Sequence, residues 1–175
     1  MPLLAVLAYP DPLDALEAAV QRWRIAFPTL QFAALPPHFT LVFPNESVAE
    51  ADLRLHVQTC AEDFAAFPFV LRCALAVKEA ASDRFYLFLV LDEGFSQLVR
   101  LHDQLYSGIL APHLRLDLPF IPHITVGYTT DAVVCHQAAQ AINAEGITFP
   151  GHIHRLTLFD VENMAELGQT NLRGS

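Results

Sequence analysis

The sequence predicts a mixed helix-and-strand domain built from two similar halves. Three observations carry that reading. Apolar, strand-like runs alternate with helix-like stretches along the chain. The order strand, helix, proline-led strand, helix, strand occurs twice. Each proline-led strand carries one His-x-Thr, His38-Phe39-Thr40 in the first half and His123-Ile124-Thr125 in the second.

The elements follow in order. Leu3 to Ala8 is a short apolar run closed by the turn signal YPDP, which suits a buried strand. Asp11 is placed to cap the next helix, with Pro12 in its first turn. Leu13, Leu16, Val20, Trp23 and Phe27 then recur at helical spacing. Pro36 and Pro37 end that helix and force extended backbone ahead of HFTLVF, which Pro44 and Asn45 stop. Residues 47–67 read as a second helix, and FPFVLRCALAV as a strand. In the second half, RFYLFLVLD is a strand and EGFSQLVRLHDQLYSGIL a helix. Pro119 and Pro122 precede the extended HITVGY. DAVVCHQAAQAINAEG is a helix with Gly146 as its C-cap. ITFPGHIHRLTLFDV reads as one long strand region, and LGQTNL as a last short strand. The first strands begin near Leu3 and Arg84, 84 − 3 = 81 residues apart, and the two motif histidines lie 123 − 38 = 85 apart. Similar offsets in the same element order point to an internal duplication.

Composition narrows the function. The 175 residues suit one domain or two small lobes in one chain, and 53% hydrophobic residues against 17% charged can fill a sizeable core. The net charge is −9, Lys78 is the only lysine, and the nine arginines are scattered. Non-specific binding of a long nucleic acid needs clustered cations, so it is not expected; a small anion or a nucleic-acid end needs only one or two. Cys60, Cys73 and Cys135 form neither a metal spacing nor a disulfide framework, which fits a reducing, cytoplasmic setting. The start MPLLAVLAYPDP lacks a basic n-region and reads as a strand. No apolar run reaches membrane-spanning length, so no membrane partner is expected. No G-x-G-x-x-G and no G-K-[ST] occurs, and no cofactor is expected.

The repeated motif carries the chemistry. In a strand, residues i and i+2 share a face, so His38 and Thr40 face one way and Phe39, Leu41 and Phe43 the other. His123 and Thr125 are likewise set against Ile124, Val126 and Tyr128. If a pseudo-two-fold axis relates the halves, both His/Thr faces line one cleft. In-line displacement at phosphorus needs a base on the entering oxygen and an acid on the leaving one. Two imidazoles that titrate near pH ~6.5 meet that need, and threonine hydroxyls can hold the non-bridging oxygens. Eight histidines and fourteen Ser or Thr predict about 0.6 chance matches to H-x-[ST], so the shared context, more than the count, carries the signal.

HFTL and HITV, one in each half, resemble the paired motifs of the two-histidine (2H) phosphoesterase superfamily, whose members include the 2′-5′ RNA ligase-like (LigT-like) proteins. The resemblance runs from LLAVLAYP to HRLTLFDV. It implies an α+β, bilobal duplicated fold over residues 1–175, with pseudo-repeats of about 1–80 and 81–175. Two antiparallel-rich sheets would surround a central cleft, with helices outside. It implies a metal-independent phosphodiesterase that opens 2′,3′-cyclic phosphates or cleaves 2′-5′ linked phosphoesters of nucleotides or RNA ends. His123 would be the base that activates water and His38 the acid on the leaving 2′ oxygen. Thr40 and Thr125 would bind the phosphate. The basic residue that many relatives carry just after a motif is absent; Val42 and Phe43 follow one motif, Gly127 and Tyr128 the other.

Phe120 and Tyr86 are the candidates for stacking on a nucleobase. His152 and His154 lack a third ligand at recognisable spacing, and Arg84 and Arg155 read as surface residues. The rival readings are a non-catalytic module that binds a nucleotide or RNA end, and an RNA 2′-5′ ligase. The chain is expected to act as a monomer.

Overall fold

The computed structural model describes residues 2–80 and 82–174. The strands are β1 (Leu4–Ala8), β2 (Phe39–Asn45), β3 (Phe67–Lys78), β4 (Phe85–Glu93), β5 (His123–Thr129), β6 (Phe149–Ile153), β7 (Arg155–Asp160) and β8 (Ala165–Asn171). The helices are α1 (Asp14–Ala26), α2 (Glu50–Asp63), α3 (Phe95–Leu105) and α4 (Ala132–Ala144), with a 3-10 turn over Gly108–His113.

All eight strands join one antiparallel sheet in the order β6-β3-β4-β5-β2-β1-β7-β8. His154 alone separates β6 from β7, yet β6 forms one edge and β7 lies beside the other. One residue spans only about 3.8 Å, so the sheet must curl until its ends approach. Its two four-stranded halves meet at a single register pair, Phe39 of β2 with Ile124 of β5. The antiparallel bilobal α+β expectation therefore holds, with the two sheets joined into one by that pair. One half is built from both ends of the chain, β1 and β2 with β7 and β8, and the other from the four consecutive strands β3 to β6.

The helices cover the outer face. α1 packs on β5, and α4 on β3, β4 and β5; α3 packs on β2, and α2 on β7 and β8. The 3.6-residue period explains α1, whose Leu16, Ala19, Val20 and Trp23 form its buried stripe. Trp23 meets Phe149 of β6 edge-on at 6.2 Å, and its indole N–H donates to Glu145 at 2.8 Å. The main core lies between helices and sheet. A smaller cluster, Ala5, Leu7 and Phe159 with Tyr9, Leu35 and Val161, occupies the concave side of β1 and β7.

Three expectations are corrected. Asp11 does not cap α1: Leu13 precedes that helix without a side-chain cap, and the backbone of Asp11 pairs with His152 through bonds of 3.2 and 2.9 Å. The second helix is shorter than residues 47–67, because Phe64 is already extended. The long strand region of residues 147–161 breaks at His154, which sends β6 and β7 to different halves. Gly146 does follow α4 in the left-handed conformation at φ +64, the conformation a C-cap glycine supplies.

Candidate active site

The site grows out of the two motif strands. Phe39 and Ile124 are buried at 1% and 0% exposure and point into the core. Their neighbours therefore face the concave side. In an antiparallel pair, one step along each strand sets Thr40 beside His123 and His38 beside Thr125.

Both strands bulge at the same place. Thr40 pairs with Leu7 and Val42 with Val6, which leaves Leu41 unpaired. Thr125 pairs with Phe88 and Gly127 with Leu87, which leaves Val126 unpaired. The bulged residue is thus the apolar one right after each threonine, and both are fully buried. An inserted residue shifts all later side chains to the opposite face. Phe43 and Tyr128, expected beside the core-facing residues, consequently turn to the concave side: Phe43 lines the cavity there, and Tyr128 lies 5.4 Å from Tyr86. The carbonyl of Val126 accepts from Nε of the buried Arg24 at 2.8 Å.

The two imidazoles are held alike. His38 Nδ1 lies 2.7 Å from the carbonyl of Pro36, and His123 Nδ1 lies 2.5 Å from that of Ile121. A carbonyl oxygen only accepts, so each Nδ1 carries the proton and each Nε2 is the free nitrogen. Each partner stands two residues upstream, where the prolines of PPH and IPH fix the backbone.

Their surroundings differ. His123 stacks on Phe88, with ring centroids 3.5 Å apart and planes at 20°. Burial pushes its pKa down to about 4; the bond to Ile121 opposes this, and the charge of His38 adds to it. His38 meets Tyr9 edge-on at 6.0 Å. Its pKa is also lowered, by burial first; the bond to Pro36 opposes this, and the charge of Arg24 adds to it.

A cavity of about 340 Å³ opens from His123, Thr125 and Thr40 over the β3–β4 side. Tyr86, Phe88 and Val77 line it from β3 and β4, together with Phe43, Leu118 and Ile121. Lys78 and Glu79 stand at its far end. His38 lies outside this lining, with its ring edge-on to Tyr9. Of the two stacking candidates, Tyr86 reaches the cavity. Phe120 does not: its ring stacks on His102 at 3.7 Å and 14° and packs on the main core. Phe88 and Lys78 were not among the residues singled out from sequence. The alternation in FYLFLVLD, which places Tyr86 and Phe88 on one face, was the signal for Phe88. Arg84 is exposed, with its guanidinium 4.8 Å over Tyr128. Among the described residues no group of three or more His, Cys, Asp or Glu could hold a metal ion. Among the described residues no helix is long and apolar enough to cross a membrane.

The curled antiparallel sheet, with one His/Thr pair from each half, agrees with the family that the comparisons find. A profile of the 2'-5' RNA ligase superfamily matches residues 12–164, and the chain belongs to that family. E. coli LigT, in a structure complexed with 3'-AMP, is 19% identical with a TM-score of 0.67, covering 99% of both chains. TT0787 of Thermus thermophilus is 19% identical with a TM-score of 0.63, again over 99% of both chains. Usb1 of Kluyveromyces marxianus is 12% identical with a TM-score of 0.52, over 98% of this chain and 99% of its own. No curated protein sequence matches the chain.

Proposed function

We propose that this protein is a metal-independent phosphodiesterase acting on 2′,3′-cyclic or 2′-5′ linked phosphoesters of nucleotides or RNA ends. The observation that carries the reading is the Phe39–Ile124 pair, which sets two His/Thr faces side by side with both Nε2 atoms free. Water attacks phosphorus opposite the departing ribose oxygen. His123 Nε2 takes the water proton, and protonated His38 gives its own to the leaving oxygen. Thr40 and Thr125 donate to the non-bridging oxygens. The low pKa of His123 suits the base, because the ring stays neutral well below pH 7.

The cavity supports a small substrate with an aromatic part. Its walls are mostly apolar and aromatic, and among the described residues Lys78 is the one cation in its lining. That suits one nucleoside carrying one phosphate better than a long polyanion. The 3'-AMP held by E. coli LigT has the phosphate position that opening a 2′,3′-cyclic ester at its 2′ oxygen leaves.

The test is turnover by the purified protein in the presence of a chelator. The panel is the four 2′,3′-cyclic mononucleotides, 2′-5′ dinucleotides and ADP-ribose cyclic phosphate. Hydrolysis of at least one is expected. A nucleotide that binds measurably yet survives long incubation would make the cleft a binding module instead.

A further inference from the structure

We propose that Phe88 is a positioning residue for this reaction: by covering one face of the His123 ring it fixes Nε2 on the cavity and distinguishes His123 from His38. The proposal rests on the reading of the two histidines as the reacting pair.

The argument starts from the near-symmetry of the motif strands. Residues 38–43 and 123–128 share one burial pattern, one bulge position and one Nδ1-to-carbonyl bond. The residue paired with the motif threonine breaks that symmetry. Leu7 stands opposite Thr40, and Phe88 stands opposite Thr125. The Leu7 side chain belongs to the small concave cluster, and among the described residues the aromatic ring that meets His38 is Tyr9, edge-on. The Phe88 ring instead reaches diagonally across to His123 and lies nearly parallel to it at 3.5 Å.

A stacked ring does two things. It excludes water from one imidazole face, which disfavours the charged form. It also removes one direction of ring rotation, so the Ile121 bond and the stack together leave Nε2 a single orientation. The titratable groups around His123 are His38 of β2, Lys78 and Glu79 at the cavity end, Tyr86 of β4, and Tyr128 of β5. On the outer side of β5 stand Arg24 of α1, at the Val126 carbonyl, and the buried Cys135 of α4. Of these, His38 is the one whose charge presses on His123, and burial outweighs it. Phe88 provides a face of that burial, whereas among the described residues no aromatic ring stacks on His38.

The test is a proton-NMR titration of the His123 ring in the full chain. It is run on wild type, Phe88→Leu, which copies the Leu7 side, and Phe88→Tyr, which keeps the stack. Phe88→Leu should raise the His123 midpoint by about one pH unit or more and Phe88→Tyr should leave it in place. On the best substrate, the acid limb of kcat/KM should move with the midpoint in Phe88→Leu, and kcat should fall more than KM rises. A folded Phe88→Leu protein with the wild-type midpoint and acid limb would overturn the proposal. The titration needs no turnover, so an inactive wild type would sink the function reading while leaving the role of Phe88 measurable.

Discussion

Phe39 and Ile124 form the one register pair between the two halves of the sheet, and each is flanked by a motif histidine. Neither half holds the site alone. The pair is buried and apolar, so the core itself sets the distance between the two imidazoles. Activity should therefore be lost by changes at either motif without loss of the fold.

His38→Ala and His123→Ala should each lower kcat by about 10²- to 10⁴-fold, the range a single positioned proton transfer supplies. Both rings are partly buried, His123 lines the cavity, and neither ring belongs to the apolar core. Far-UV circular dichroism should stay native. A variant that is folded and retains wild-type turnover at either position would remove that histidine from the reaction.

The pH dependence follows from the two shifts. In the free enzyme the base must be neutral and the acid protonated. His123 loses its proton near pH 4, so the acid limb of kcat/KM should lie there. His38 is pushed below its ordinary value, so the alkaline limb should begin below about pH 6.5. The optimum of kcat/KM therefore falls on the acid side of that value. Bound phosphate favours both protonated rings, and the kcat profile should be displaced upward. An alkaline limb of kcat/KM above pH 7 would contradict this assignment. Stability has its own sign. Between pH 6.5 and 4 the unfolded chain binds a proton at His123 that the folded one refuses, so stability should fall as pH drops through that window.

The element order and the motif pair were legible in the sequence because each rests on local physics. Apolar periodicity marks α1, and the prolines before His38 and His123 mark the starts of the motif strands. The bulges were not legible. A strict alternation assigns Phe43 and Tyr128 to the core face, and only the pairing register shows Leu41 and Val126 as inserted residues. Phe120 shows the reverse problem. It adjoins the motif in sequence, yet His102 of α3 offers a flat buried partner that draws its ring inward. The split at His154 is a long-range fact, because either side of it reads as strand.

Gly127 makes room for the segment that leads into His38. A Cβ there would sit 2.9 Å from the Gln31 carbonyl oxygen and 3.1 Å from Leu30 Cβ. Gln31 and Tyr128 exchange two backbone bonds of 2.8 Å at this spot. Gly127→Ala must push residues 30–31 away and stretch those bonds, at a cost of about 1–3 kcal/mol. A drop in the midpoint of thermal unfolding should come with reduced kcat, because the displaced segment carries the Pro36 carbonyl that orients His38. An unchanged melting curve would show that the segment yields freely.

Asn143 closes an open strand edge from a helix. β3 pairs with β6 only from Phe67 to Leu71, so Ala74 has no strand on that side. The Asn143 side chain replaces one: its Oδ1 accepts from Ala74 N at 2.7 Å, and its Nδ2 donates to Ala74 O at 2.9 Å. Ala74 is 1% exposed beneath the exposed Asn143, whose side chain covers its N–H and carbonyl. Asn143→Ala should cost about 1–2 kcal/mol, since both bonds are lost and water replaces them only in part. In a domain of this size that is roughly 2–8 °C in Tm. Asn143→Asp separates the two bonds. Its carboxylate still accepts from Ala74 N but can no longer donate to Ala74 O, so it should also lose stability, and most strongly where it is ionised. α4 packs on the outer face of the sheet, away from the cavity, so both variants should keep their turnover per folded molecule. Thermal unfolding near pH 7 with parallel rate measurements checks both halves. Wild-type stability in Asn143→Asp would mean that the bond to the Ala74 carbonyl contributes nothing.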